Sequence, residues 1–155
     1  MHTRRDMLSH SAKVAAMLAS IGMLPSLAQA QAAGYNSNAF AAKTMAEMMK
    51  ALGAGTPTES KDVTVTAQDS AENGAGEPIA AATTLPGAKR LLMLVEKNPN
   101  ILAAMFDLTD AVDANISTRV KMGQSSNVYA VAMMGDGKVL FAQKEVKVTL
   151  GGCGG

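Results

Sequence analysis

Residues 127–150 carry the reading that decides the fold: Asn127-Val128-Tyr129-Ala130-Val131-Ala132-Met133-Met134, then Gly135-Asp136-Gly137, then Lys138-Val139-Leu140-Phe141 and on to Val146-Lys147-Val148-Thr149-Leu150. Two β-branched, apolar runs flank a Gly-Asp-Gly break. Only small or turn-prone residues adopt the left-handed backbone of a tight hairpin, so this break predicts two antiparallel strands, Asn127 to Met134 and Lys138 to Leu150. Val139 and Phe141 occupy odd positions in the second run, whereas Val146, Val148 and Leu150 occupy even ones. A strand with one buried face cannot keep both sets inside, so a bulge or a change of sheet is expected near Ala142 to Lys144.

The same period of two extends toward the amino end. Asn115 to Met122 places Ile116, Thr118, Val120 and Met122 on one face and Asn115, Ser117, Arg119 and Lys121 on the other, which makes Arg119 a solvated face residue. Ile101 to Leu108 alternates Leu102, Ala104, Phe106 and Leu108 and reads as a strand. Lys89 to Glu96 contains the unbroken apolar core Leu91-Leu92-Met93-Leu94-Val95, as suits a central strand buried on both sides. Lys61 to Gln68 alternates Val63, Val65 and Ala67 against Asp62, Thr64 and Thr66. Pro78 to Thr84 is a weaker strand that the proline would begin. Turns are expected at Glu72-Asn73-Gly74 with Gly76, and at Leu85-Pro86-Gly87.

One segment follows a different period. In Ala39 to Leu52, Met45, Met48, Met49 and Leu52 fall on one helical stripe, with Ser37 or Asn38 as cap and Gly53 as terminator. The stripe could face a partner or pack on its own domain. About seven short strands without βαβ alternation, preceded by one helix, predict an all-β fold: an immunoglobulin-like antiparallel β-sandwich with one N-terminal helix. An intersheet cystine and a core tryptophan are both missing, so aliphatic and methionine packing must supply the core.

Much of the chemistry is narrowed by composition. The 155-residue chain has two histidines, His2 and His10, and one cysteine, Cys153. Residues 1–30 have the layout of a signal peptide: a basic start with Arg4 and Arg5, an apolar run from Val14 to Leu24, and Ala28-Gln29-Ala30 before a cleavage site at Gln31. The run falls short of the about 20 residues that a membrane span needs, so no stable membrane anchor is expected. Thr3-Arg4-Arg5-Asp6-Met7-Leu8 resembles a twin-arginine export signal; the plainer reading is an ordinary secretory leader with a basic end. Both send the mature protein out of the cytoplasm, to the periplasm.

Residues 31–155 would then hold no histidine, which excludes Cys-His catalysis and His-ligated metal, and no metal or other cofactor is expected. Removing Arg4, Arg5 and Lys13 from the 14 bases and Asp6 from the 13 acids leaves one net negative charge, unlike a nucleic-acid binder or a polybasic membrane binder.

After the last strand the chain reads Gly151-Gly152-Cys153-Gly154-Gly155. With four of its five residues lacking a Cβ, residues 151–155 are expected to be a flexible arm on the body formed by residues 31–150. Three extended residues carry the Cys153 α-carbon roughly 10 Å past Leu150. Flanking glycines would let the thiol enter a narrow pocket of another protein. They offer no base, cation or helix terminus to activate it, so its pKa should stay at about 8.5. A thiol of this kind is an attachment point rather than an enzyme's nucleophile. An incidental surface cysteine and a disulfide linking two tails are the other readings. A lipoprotein cysteine would stand first in the mature chain, and a prenylated one fourth from the end.

Val146 through Gly155, together with Ile116-Ser117-Thr118-Arg119-Val120, the hairpin at Met133-Met134-Gly135-Asp136-Gly137, and the weaker matches Glu72-Asn73-Gly74 and Asn98-Pro99, resemble the SoxY family, the sulfur carriers of the periplasmic thiosulfate-oxidising (Sox) system. The terminal Gly-Gly-Cys-Gly-Gly is the specific element. The Met- and Leu-rich stretches Leu91 to Val95 and Ile101 to Phe106 depart from the family pattern. The resemblance implies an immunoglobulin-like fold, a heterodimer with SoxZ, and Cys153 as the covalent site. It also implies that the haem enzyme SoxAX joins thiosulfate to that sulfur as an S-thiosulfonate and that SoxB releases sulfate. A sulfane dehydrogenase would oxidise the sulfur that remains, in many systems. The expectation is a non-catalytic carrier of covalently bound sulfur; the competing one is a periplasmic structural module cross-linked through its terminal cysteine.

Overall fold

The structure is a computed structural model and describes residues 35–150. The expected leader with Arg4 and Arg5, its cleavage site, and the arm Gly151, Gly152, Cys153, Gly154 and Gly155 lie outside the described residues. In chain order the elements are α1 (Ser37–Ala41), α2 (Met45–Ala51), β1 (Thr58–Glu59), β2 (Val63–Ala67), β3 (Ser70–Asn73), β4 (Glu77–Thr83), β5 (Ala88–Val95), β6 (Leu102–Asp107), β7 (Asn115–Val120), β8 (Ser126–Met134) and β9 (Val139–Leu150). Among the described residues no helix is long and apolar enough to cross a membrane.

The hairpin forms where the sequence places it. Gly137 adopts φ 89°, its N–H donates to the Met134 carbonyl at 3.1 Å, and Met134 N–H donates to the Lys138 carbonyl at 2.9 Å. β8 and β9 then head a sheet that runs on through β5 to β6, while β2, β4 and β7 form the second sheet. Every strand pair in this arrangement is antiparallel. Two further strands depart from the expected pattern: β1 and β3 lie parallel to β9. Lys147 N–H bonds the Asp69 carbonyl and Ser60 N–H bonds the Phe141 carbonyl. Both contacts use odd residues of β9, so β1 and β3 share its edge away from β8. The chain leaves β2 in one sheet and enters β3 in the other, which makes an all-β, immunoglobulin-like sandwich.

The core has two layers. Leu91, Met93 and Val95 face the second sheet with Val63, Ile79, Ala81, Val128, Ala130 and Val146. Leu92 and Leu94 face the helices, packing with Met48, Met49, Ile101, Val131 and Val139. β5 is therefore buried on both faces, as its unbroken apolar run requires. The methionine stripe closes the second layer: Met48 and Met49 are buried against the chain's own sheet.

Several expectations are corrected. The single helix is two, broken at Lys43 and Thr44. Thr44 Oγ1 accepts from Glu47 N–H at 3.2 Å and Glu47 Oε2 accepts from Lys43 N–H at 2.9 Å, a reciprocal cap that starts a new helix. Asn36, rather than Ser37 or Asn38, caps α1, and its side-chain amide reaches the Ala51 carbonyl at the end of α2. Gly53 follows α2 at φ 64°, as expected.

The parity change in β9 needs no bulge. Its register with β8 is unbroken from Ser126↔Val146 to Met133↔Val139. Odd residues Val139 and Phe141 face the helix layer, and even residues Leu140, Ala142, Val146 and Val148 face the sandwich. A bulge lies instead in the β5–β6 pairing, where Met93 pairs Ala104 but Leu94 pairs Leu102. It turns Leu102 to the helix layer and leaves Ala104 and Phe106 in the sandwich, so the alternation expected for this strand is not one face. Of the turn expected at Glu72-Asn73-Gly74 with Gly76, Glu72 and Asn73 belong to strand β3 and the turn is residues 74–76, with Asn73 Oδ1 accepting from Ala75 N–H at 2.9 Å.

Candidate functional site

Cys153 and its glycines lie outside the described residues, so the geometry available is that of the point from which they leave, Leu150. The β8–β9 pairing ends at Ser126↔Val146, yet β9 continues to Leu150. Two neighbours hold the extension. On one side β3 pairs Ser70 with Lys147, Ala71 with Val148 and Asn73 with Leu150. On the other, Ser125 Oγ accepts from Val148 N–H at 2.8 Å and lies 3.4 Å from the Val148 carbonyl as its donor. A hydroxyl, being both donor and acceptor, here does the work of the strand that has ended.

The last carbonyl is held as well. The buried Gly74 donates its N–H to Leu150 O at 2.9 Å, and its own carbonyl accepts from Met122 N–H at 2.7 Å. Asn98 supports the same end of the sandwich, donating to the Lys121 carbonyl at 2.7 Å and accepting from Gly123 N–H at 3.2 Å. The two short motifs of the family resemblance, Glu72-Asn73-Gly74 and Asn98-Pro99, thus meet around the β9 terminus. Ser125 gave no signal in the sequence beyond belonging to a polar break.

Electrostatics at this end are mixed: Lys97, Lys121, Lys147 and Glu72 are exposed. Farther along β9, Lys144 lies 2.9 Å from the Asp69 carboxylate. Its hydrogen bond, and then its charge, hold the Asp69 carboxyl below the usual carboxylate range. Glu77 is buried between the sheets, 3 % exposed, and its Oε1 has no hydrogen-bond partner.

Clefts among the described residues lie away from the β9 terminus. One, of about 740 Å³, is lined by Thr83, Leu85, Pro86, Asp110, Val112 and Asn115 at the opposite end of the sandwich. Another, of about 500 Å³, lies between α2 and the sheet and is lined by Met45, Glu96, Ile101, Tyr129 and Phe141. Burial, and then the Glu96 charge, push the Tyr129 phenol above its ordinary value. It stays neutral at physiological pH and is not poised as a base. Among the described residues no group of three or more His, Cys, Asp or Glu side chains could hold a metal ion.

Comparison with known proteins agrees with this architecture. The sulfur carrier protein SoxY from Chlorobium limicola f thiosulfatophilum matches at 32% identity and a TM-score of 0.59, covering 66% of this chain and 93% of that one. A variant of the superoxide reductase (neelaredoxin) from Ignicoccus hospitalis matches at 13% identity and a TM-score of 0.50, over 56% of this chain and 78% of that one; this is a likeness of fold alone. No curated protein matches. The family model for the sulfur oxidation protein SoxY matches residues 48–153, from the second helix through the β9 terminus to the solitary cysteine, and the chain therefore belongs to the SoxY family.

Proposed function

We propose that the protein is a non-catalytic sulfur carrier that holds thiosulfate-derived sulfur covalently on Cys153. The observation that carries this reading is the family match through residue 153; the printed name of the Chlorobium relative, sulfur carrier protein, supports it. The thiolate is a good nucleophile toward sulfur and forms adducts of disulfide type. In the loading step the Cys153 S–H bond and the terminal sulfur of thiosulfate give a new S–S bond, one proton and two electrons. A c-type haem enzyme, SoxAX, accepts the electrons. Water then cleaves the outer S–S bond in a step run by SoxB, releasing sulfate and a proton and leaving a persulfide. Where a sulfane dehydrogenase acts, it removes six electrons from the outer sulfur as three waters supply its oxygens, and a second hydrolysis returns the thiol.

The division of labour follows from the arm's composition. Glycines at 151, 152, 154 and 155 demand little width, so one bound group can visit several active sites while the sandwich stays folded. The body works beside a SoxZ-like subunit as a heterodimer. It reaches the periplasm by residues 1–30, with Arg4 and Arg5 as the twin-arginine signal.

A mass spectrum of the mature protein after incubation with thiosulfate and the partner enzymes tests the reading. A thiosulfonate addition on the peptide containing Cys153 is expected. If a disulfide dimer is the only oxidised species, the protein is a cross-linked structural module instead.

A further inference from the structure

We infer that Ser125, acting with β3 and Gly74, is a positioning residue that fixes the point and direction from which Cys153 is offered to partner enzymes. This rests on the carrier reading above and adds to it a determinant outside the arm.

β9 outruns β8 from Lys147 to Leu150, and a strand end that loses a neighbour frays more readily. Left with one neighbour or none, its exposed N–H and C=O groups exchange with water and the last residues fray. Here both sides are occupied. Ser125 stands where β8 would have continued, and its Oγ contacts both polar groups of Val148. Opposite it, Lys147 N–H is fixed by the Asp69 carbonyl at 3.0 Å and β3 pairs residues 147, 148 and 150. Gly74 holds the Leu150 carbonyl and is itself held by Met122. Val148 packs on the sandwich core, but Leu150 is 67% exposed, so beyond Val148 the extension is held by hydrogen bonds rather than by apolar burial.

The consequence concerns tether length. With the extension held, only Gly151 and Gly152 separate the anchored strand from Cys153. Were Lys147 to Leu150 released, the tether to the thiol would grow from about three residues to about seven. Once a tether spans the distance to a docked partner's active site, effective concentration falls as roughly the −3/2 power of its length, here a loss of roughly three- to fourfold. The clamp thus keeps the arm short without shortening its sequence.

The test uses the full mature chain with the loading enzymes, in Ser125→Ala, in Ser125→Thr, and in a variant with Gly-Ser-Gly-Ser inserted between Leu150 and Gly151. Amide exchange at Val148, reaction of the thiol with a small aromatic disulfide, and kcat and KM for enzyme-catalysed loading are measured on each. Ser125→Ala, which leaves β3 and Gly74 in place, should exchange faster at Val148 and load up to about twofold more slowly in kcat, less than the insertion variant, with KM and the small-reagent rate unchanged; Ser125→Thr, which keeps a hydroxyl, should restore loading. The inference is overturned if Ser125→Ala loads at the wild-type rate, or if its small-reagent rate falls in parallel. Should Ser125→Ala not fold, undiminished loading by the insertion variant overturns it equally. Absence of any conjugate on the wild-type chain would instead refute the carrier reading itself, a separate outcome.

Discussion

Lys144 donates to the Asp69 carboxylate at 2.9 Å and to the Ala67 carbonyl at 2.6 Å, so one ammonium bridges the place where the chain leaves the β2 sheet and enters the β9 sheet. Lys144 lies on the sandwich-facing side of β9, where an apolar residue would be expected from Ala142 and Val146. It is tolerated because that position is at the sheet's margin, where its stem covers the core and its head reaches the crossover.

This pair has a pH signature. Asp69 is held below the ordinary carboxylate value by Lys144. The folded state therefore binds the proton less readily than the unfolded chain. The stabilisation is present above the unfolded value, about 3.9, and is lost as pH falls through the lower folded value. Asp69→Asn should lower the unfolding midpoint slightly at pH 7, and the gap from wild type should close in acid. Asp69 is exposed, so solvent screening keeps the effect small. A gap that persists or widens in acid would show that the charge on Asp69 is not what holds the crossover.

Cys153→Ser removes the nucleophile and nothing on which the described fold depends. Loading with thiosulfate-derived sulfur should fall to zero. Unfolding free energy should change by less than about 0.5 kcal/mol, as for surface substitutions generally. Mass spectrometry and thermal unfolding of the same preparation check both halves; a large loss of stability would mean that the thiol is packed.

Replacing Gly152 and Gly154 together with valine keeps the thiol but adds β-branched bulk and restricts the backbone. Loading and release by the partner enzymes should slow, while reaction with a small disulfide reagent changes less. Equal rates with every partner would show that the glycines serve no purpose in delivery.

The sandwich was legible because its signals are local and strong. Gly135-Asp136-Gly137 marks the hairpin, and the unbroken apolar run Leu91 to Val95 suits a strand buried on both faces. The misreadings came from tertiary context. Val139 and Phe141 looked out of phase with Val146 and Val148 because the sequence does not reveal that α1 and α2 cover the other face of β9. Ser70 to Asn73 has little β propensity and is a strand because β9 offers it an edge. The Thr44-x-x-Glu47 cap was readable in principle but lay inside the segment Ala39 to Leu52, read as one helix. Around the candidate site, Cys153 stood out by solitude and its glycine flanks. Ser125 did not, because its role depends on where β8 stops.

The methionine stripe gives a graded test of which face is core. Met48 is fully buried, and Met48→Ala should cost about 2–5 kcal/mol through lost burial and the cavity left behind. Met45, half-buried beside the cleft with Tyr129 and Phe141, should cost distinctly less. Chemical denaturation of the two variants checks the order. Equal and small costs would revive the stripe as a partner-binding face.

Glu77 supplies the test of whether a buried group is merely tolerated. Strand alternation along β4 puts it on the same face as Ile79 and Ala81, both in the core, and its Oε1 meets no donor. A buried polar group without a partner carries a desolvation penalty of about 1–3 kcal/mol. Methionine matches its length, lacks the carboxyl oxygens and suits a core already rich in that residue. Glu77→Met should therefore stabilise the fold by about 1–3 kcal/mol, raising the unfolding midpoint by several degrees, while loading of Cys153 stays at the wild-type level. If the variant were more stable but loaded poorly, the carboxyl would act in carrier function at the expense of stability. If it were less stable, Glu77 would have a partner in solution, and the penalty assigned to its burial would be wrong.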